Sequence, residues 1–130
     1  MKKVWSALAR LVLGLPLVVF GLNGFLRLIP VPKQTPEGEA FLRALVETGY
    51  MLPFWKGTEV VCGLAILLGL WLPLALVVIT PVMLNIIAFH LWLDPDPGTM
   101  GLVALMSAAL VYLATKNLSV YRPIMARKSD

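Results

Sequence analysis

Apolar residues gather in four blocks along the chain, at about residues 4–29, 54–72, 74–93 and 99–115. The blocks are separated at Pro30 to Pro53, at Leu72-Pro73 and at Asp94 to Gly98. Each is near the roughly 20 residues needed to cross a hydrocarbon layer. The pattern therefore predicts an all-α membrane protein, a four-transmembrane-helix bundle. Within the longest break, PVPKQTPEGEAFLRALVETGYMLP, Thr35-Pro36-Glu37 followed by Glu39 reads as a helix start. Phe41, Ala44, Leu45 and Thr48 then recur at helical spacing, and Gly49 ends the run. This predicts a short amphipathic helix over Pro36 to Thr48 in the loop between helices 1 and 2, as a lid or as a plain surface connector. Helices 2 and 3 meet almost directly at Trp71-Leu72-Pro73, since proline cannot continue a helix without losing a hydrogen bond. Helix 1 holds Pro16, a kink site, and Gly14, Gly21 and Gly24 near one side, where a neighbouring backbone can approach. Ala104, Ser107 and Ala108 offer the same on helix 4.

Composition agrees with lipid as the solvent: of 130 residues, 59% are hydrophobic and 14% charged. One membrane domain then accounts for residues 1–130, with an outer loop at 30–53 and a basic tail at 116–130. The first block is too long for a signal-peptide core, is interrupted by Arg10 and lacks a small-x-small cleavage site, so it is expected to remain as a span. Charge then sets the orientation. Four spans put both ends of the chain on one side, with Lys2, Lys3, Arg10, Lys116, Arg122, Arg127 and Lys128, seven of the eleven basic residues. The positive-inside rule makes that side the cytoplasm, so both termini are expected to be cytoplasmic. Glu37, Glu39, Glu47, Asp94, Asp96 and, at a helix mouth, Glu59 fall on the other side. The net charge of +4 thus reflects topology and calls for no nucleic acid, while the tail can touch anionic lipid.

The residues that a lipid-facing helix should not contain carry the functional information: Asn23 and Arg27 in helix 1, Glu59 in helix 2, and Asn85 and His90 in helix 3. Burying such groups in hydrocarbon is costly unless they find partners, so they should face inward. At 1.5 Å per residue they lie roughly 9, 3, 8, 12 and 5 Å below the outer ends of their helices. All five fall in the outer half, which predicts one polar site open to the outside. Two solutions for the acid remain open. Arg27 can balance Glu59 across the bundle, with Asn23 one turn below on the same face, or Lys56 can satisfy it locally at three residues' separation. On helix 3, Asn85 and Phe89 share one face, and His90 and Asp94, four residues apart, share another about 140° away. The Asp94 carboxylate could hold the His90 ring and make it a proton acceptor, with Glu59 as the second. The alternative is a helix-end aspartate and a histidine anchored at headgroup level beside Trp92.

Several cofactor chemistries fail at this point. A bis-histidine haem needs a second histidine, which only a symmetric pair of subunits could supply. One histidine, one cysteine and scattered carboxylates match no metal spacing, and the lone Cys62 excludes thiol-disulfide chemistry. A lipid-like ligand such as a quinone is left. Its headgroup can be hydrogen-bonded by Asn, His or Arg and can exchange protons with Glu59 or His90.

The ordered set R-L-V-L-G, F-G-L-N-G-F, G-Y-x-x-P with E-V-V-C-G-L-x-x-L-L-G-L-W-x-P-L-A, and P-V-M-L-N-I-I-A-F-H-L-W-L-D-P resembles the DoxX family of small bacterial inner-membrane proteins, from Arg10 to about Pro123. The resemblance implies a four-helix membrane bundle that serves as a quinone-linked redox or oxidative-stress-associated subunit. Family members are tied to a terminal quinol oxidase or a thiosulfate:quinone oxidoreductase. More distant relatives work in membrane-protein assembly, which makes a non-enzymatic scaffold the alternative. Arg10, Asn23, Glu59, Asn85 and His90 match the family's recurring polar positions, and Asn23-Gly24 stands where many relatives have a lysine. The bundle is also similar to the vitamin K epoxide reductase scaffold, without the CxxC of that chemistry. Implied partners are the bilayer, redox-complex subunits and a second copy of the chain. A small-solute carrier is a weaker third reading, because one four-helix unit gives little room for alternating access.

Overall fold

The computed structural model describes residues 1–127, so Lys128, the last base of the predicted tail, lies outside the described residues. Four of its helices are long and apolar enough to cross a membrane. The first, α1 (Lys2–Leu26), stops three residues short of the predicted Ile29. Arg27 turns into the left-handed region at φ 52°, and the Asn23 side chain grips the chain beyond the turn. Asn23 Nδ2 donates to the Ile29 carbonyl at 3.0 Å, and its Oδ1 accepts from the Ile29 N–H at 2.7 Å. A side-chain amide thus satisfies the backbone groups of a residue in the non-helical segment beyond the helix.

The short helix α2 (Pro36–Glu47) follows. Thr35 caps it, with its hydroxyl oxygen accepting from the Gly38 N–H at 3.1 Å, and Pro36, Glu37 and Glu39 occupy the first turn. These residues suit that end, where free N–H groups and the helix dipole favour acceptors and acids. Thr48 then serves two helices: it closes α2, and its hydroxyl accepts from the Met51 N–H at the start of α3 (Met51–Leu68) at 3.0 Å. Pro53 sits in the first turn of α3, where its missing N–H costs nothing. Consequently α3 begins before the predicted Phe54, and it ends before Leu72 because Gly69, at φ 70°, closes a Schellman turn. In that turn the Leu70 N–H donates to the Ala65 carbonyl at 2.9 Å.

Trp71 completes the tight hairpin to α4 (Leu72–Ala88), which carries Pro73 in its first turn and Pro81 in its interior. A π-helical turn, Phe89–Leu93, prolongs this span, with the Asp94 N–H donating to the Phe89 carbonyl at 2.9 Å. The fourth span, α5 (Pro97–Lys116), is capped by Asp96, and a single turn, α6 (Leu118–Tyr121), follows. The Tyr121 hydroxyl donates to the Pro73 carbonyl at 2.9 Å and ties that turn to the start of α4.

The spans form a ring in which α1 and α4 each pack on both α3 and α5, and α2 lies across one end against α3 and the π turn. Leu13, Leu17, Ile66, Leu76, Ile79, Met83 and Leu113 are fully buried at the centre. Trp5, Phe54, Val61, Leu74, Leu84 and Val111 point outward and are exposed. An apolar outer face around an apolar interior suits a bundle dissolved in lipid. The closest seam is α1 against α3. A Cβ on Gly14 would meet the Gly63 carbonyl oxygen at 2.9 Å, and one on Gly63 would meet the Gly14 oxygen at 3.0 Å. Arg10 lies at the end away from α2, its guanidinium packed over Gly69 with a buried Nε that has no hydrogen-bond partner among the described residues.

Candidate functional site

A cavity of about 980 Å³ opens at the α2 end of the bundle. It is walled by the last turns of α1, the first turns of α3 and α5, the π turn, and α2 above. Along α1 it reaches from Arg27 to Pro16, eleven residues or roughly 16 Å of helix. Its walls are mainly apolar: Leu17, Phe20, Ile86, Leu102, Val103 and Met106 surround the deeper part. Aromatic rings join the cover to the walls. Phe41 of α2 meets Trp55 of α3 edge-on at 6.3 Å between centroids and Phe89 of the π turn at 5.7 Å, and Phe89 meets His90 at 5.1 Å. Such pairs add to the area they bury.

Near the cavity floor, eight residues into α3, sits Glu59. It is the buried charged side chain among the described residues, 3% exposed. Its partner is Lys56, whose Nζ lies 3.2 Å from one carboxylate oxygen and 3.5 Å from the other. The local solution is thus the one formed. Arg27 does not balance Glu59, because α1 ends beneath it and the left-handed cap turns Arg27 out to the mouth, exposed and without an ion pair among the described residues. The Trp55 indole N–H, one turn before Glu59, is buried and closes no hydrogen bond among the described residues.

The other predicted polar residues divide differently from the expected single network. Asn23 lines the cavity, but its amide is committed to Ile29 and does not reach Glu59. Asn85 is half-buried and does not line the cavity: the side of α4 and the π turn that does so carries Ile86, Phe89 and His90, at i, i+3 and i+4. His90 lines the mouth, but the Asp94 carboxylate does not hold it. His90 Nδ1 faces the Asp94 backbone oxygen at 3.4 Å, and Asp94 Oδ1 accepts from the Thr35 N–H at 2.9 Å. The π turn is the cause: by closing Asp94 N–H onto Phe89 it sends the carboxylate toward α2. The Thr35 hydroxyl also donates to the Leu93 carbonyl, and Gly38 packs on Asp94 and Phe89, so the start of α2 is seated on that turn. Asp96 accepts from the Thr99 N–H at 2.9 Å and its hydroxyl at 2.8 Å. These bonds, backbone first, with His90 nearby, hold its carboxyl below the ordinary aspartate range.

Thr35, Phe41, Trp55 and Phe89 escaped the sequence reading of the site. The signal for Trp55 was present in its spacing of four before Glu59, whereas nothing local announced that Thr35 pairs with a residue 59 positions away. Among the described residues no three His, Cys, Asp or Glu side chains gather as a metal site. Chemically, the arrangement offers an apolar chamber with one charge-balanced pair deep inside and polar groups at its mouth. Comparison with known proteins finds no matching family model, no similar curated protein and no similar solved structure.

Proposed function

We propose that this chain is a DoxX-type protein of the bacterial inner membrane, with both termini cytoplasmic, whose cavity takes a quinone or similar lipid-like molecule as a redox-complex subunit. The observation that carries this reading is the Glu59 carboxylate near the floor of a mainly apolar cavity of about 980 Å³. Ligand sites commonly have this composition, apolar walls with a few placed polar groups. A buried carboxylate at such a place is a ready proton acceptor for a hydroquinone, with His90 at the mouth as the next. In this orientation α2 covers the outer mouth, and a second copy of the chain or a redox partner packs on the exposed faces.

Purification in mild detergent, with mass spectrometry of co-extracted lipids and quinol-dependent electron transfer measured in membranes, tests the reading. Quinone should accompany the wild-type protein, and Glu59→Gln should slow electron transfer by about 10²-fold, the range of a lost general base. Absence of quinone together with an unaffected Glu59→Gln variant overturns it. The commitment of Asn23 to Ile29 and of Asp94 to Thr35 favours a second reading, a scaffold or assembly factor whose polar groups specify packing. That reading expects Glu59→Gln to lower thermal stability and partner recovery in parallel, with no separate effect on turnover.

A further inference from the structure

We propose that Lys56 is the first residue to touch the cavity's ligand, ahead of Glu59, donating a hydrogen bond to a neutral carbonyl-bearing headgroup; this rests on the reading of the cavity as a ligand site. Accessibility separates the two partners. The Glu59 side chain is 4% exposed and the Lys56 side chain 25%, and both line the cavity. Of the two, Lys56 offers a ligand the more accessible side chain.

The lysine is also held in place. Its stem lies across Gly24 of α1, where a Cβ would come within 2.6 Å of Cγ and 2.8 Å of Cδ, so the absence of a side chain at 24 makes the passage. At the far end Nζ is drawn to Glu59 at 3.2 and 3.5 Å. An ammonium carries three N–H donors. With two turned to the carboxylate oxygens, the third is free to face the cavity. In this arrangement Gly24 positions Lys56, and Glu59 anchors it and exchanges protons with the ligand by way of the ammonium.

The pair also selects the charge of the headgroup. Lys56 and Glu59 balance each other, so an anionic head entering here would gain one cation and meet one anion beside it. A cationic head would meet the ammonium in front of the carboxylate. A neutral oxygen acceptor suffers neither repulsion, and its bond to an ammonium is stronger than one between neutral groups. The apolar remainder of such a molecule fits the walls made by Leu17, Phe20, Leu102 and Met106. Beside this pair the ligand's polar end is thus neutral and bears a carbonyl oxygen, while Arg27, Lys33, Asp94 and Asp96 supply charge of both signs elsewhere in the lining.

The test uses the full chain in detergent or nanodiscs, with three probes of similar tail length: a decyl-substituted benzoquinone, a decyl methyl ketone and decanoate. Binding is followed by equilibrium dialysis, alongside thermal melting of each variant. Wild type should bind the quinone and the ketone in preference to decanoate. Lys56→Met should weaken both by about tenfold or more, while Lys56→Arg, which keeps a cationic donor, should retain most of the affinity. Should Lys56→Met misfold, Gly24→Ala gives an independent measure, since its methyl displaces the lysine stem and should weaken ketone binding with α1 otherwise intact. Ketone binding that depends on Lys56 without quinone binding upholds the assignment and removes the quinone. Quinone binding unaffected in folded Lys56→Met overturns the assignment and leaves the quinone standing, and decanoate bound best overturns both the assignment and the neutral ligand. No binding of any probe overturns both.

Discussion

Asp96 shows how a single side chain sets conditions on the molecule. Its carboxylate holds the start of α5 through the Thr99 N–H and hydroxyl, and those bonds depress its proton affinity in the folded chain. A depressed carboxyl binds fewer protons folded than unfolded, so its contribution is complete above the ordinary aspartate range and disappears as pH falls through the lowered value. Wild-type protein in detergent should therefore lose helical stability over that acid window. Asp96→Asn, which keeps an acceptor oxygen but does not titrate, should flatten this part of the acid-unfolding curve followed by circular dichroism. Superimposable curves would remove Asp96 from the account. Residue-level reading of the sequence was good at naming unusual side chains and poor at pairing them. Glu59 stood out because a carboxylate in an apolar block demands a partner, and Lys56 lay within reach on the same helix. Asn23 and Asp94 were equally conspicuous, yet their partners are backbone groups of Ile29 and Thr35, and backbone carries no signature in the sequence.

At the scale of elements, the sequence announced the four spans by their length of apolar run and placed the end of the third at Leu93, but misplaced several other ends. The ends depend on local devices: the left-handed turn at Arg27, Pro53 accepted in a first turn, the Schellman closure at Gly69. The π turn at Phe89–Leu93 was hidden, because it keeps the apolar pattern of the α-helix it extends. It re-aims Asp94 and presents Phe89 and His90 to the cavity, in keeping with the frequent placement of such turns at functional sites. The covering helix α2 depends on it. Thr35→Ala removes the cap acceptor for Gly38 and the hydroxyl bond to Leu93, and should cost α2 about 1–2 kcal/mol. Hydrogen exchange read by mass spectrometry should then show α2 amides exchanging faster while the four spans stay protected, and Thr35→Ser should restore the wild-type pattern. Acceleration spread over the whole chain would mean that α2 is not a separable cover.

At the scale of the whole molecule, the two sides of each span meet different solvents, and neighbouring residues on α3 make the contrast plain. Glu59 faces inward and is buried, while Val61, two residues on, is 68% exposed on the outer face. Val61→Asp should consequently disfavour insertion by about 2.5–3.5 kcal/mol, with less protein recovered in the membrane fraction, and Val61→Leu should be neutral. Full insertion of the aspartate variant would mean that this face is covered by something other than lipid. The bundle was legible in the sequence because four long apolar blocks leave few alternatives. The cavity was not, since a space between helices depends on how they splay, and only its polar lining left a trace. The bond from Thr35 to Asp94 also bears on how the molecule is made. It joins positions 59 residues apart, so α2 leaves the ribosome well before the turn that seats it. At about 5–20 residues per second the delay is roughly 3–12 s. Throughout that interval the cover has no dock, and the chamber, whose α5 wall is made later still, stays open to the bilayer. A resident lipid would then be a record of assembly as much as of function.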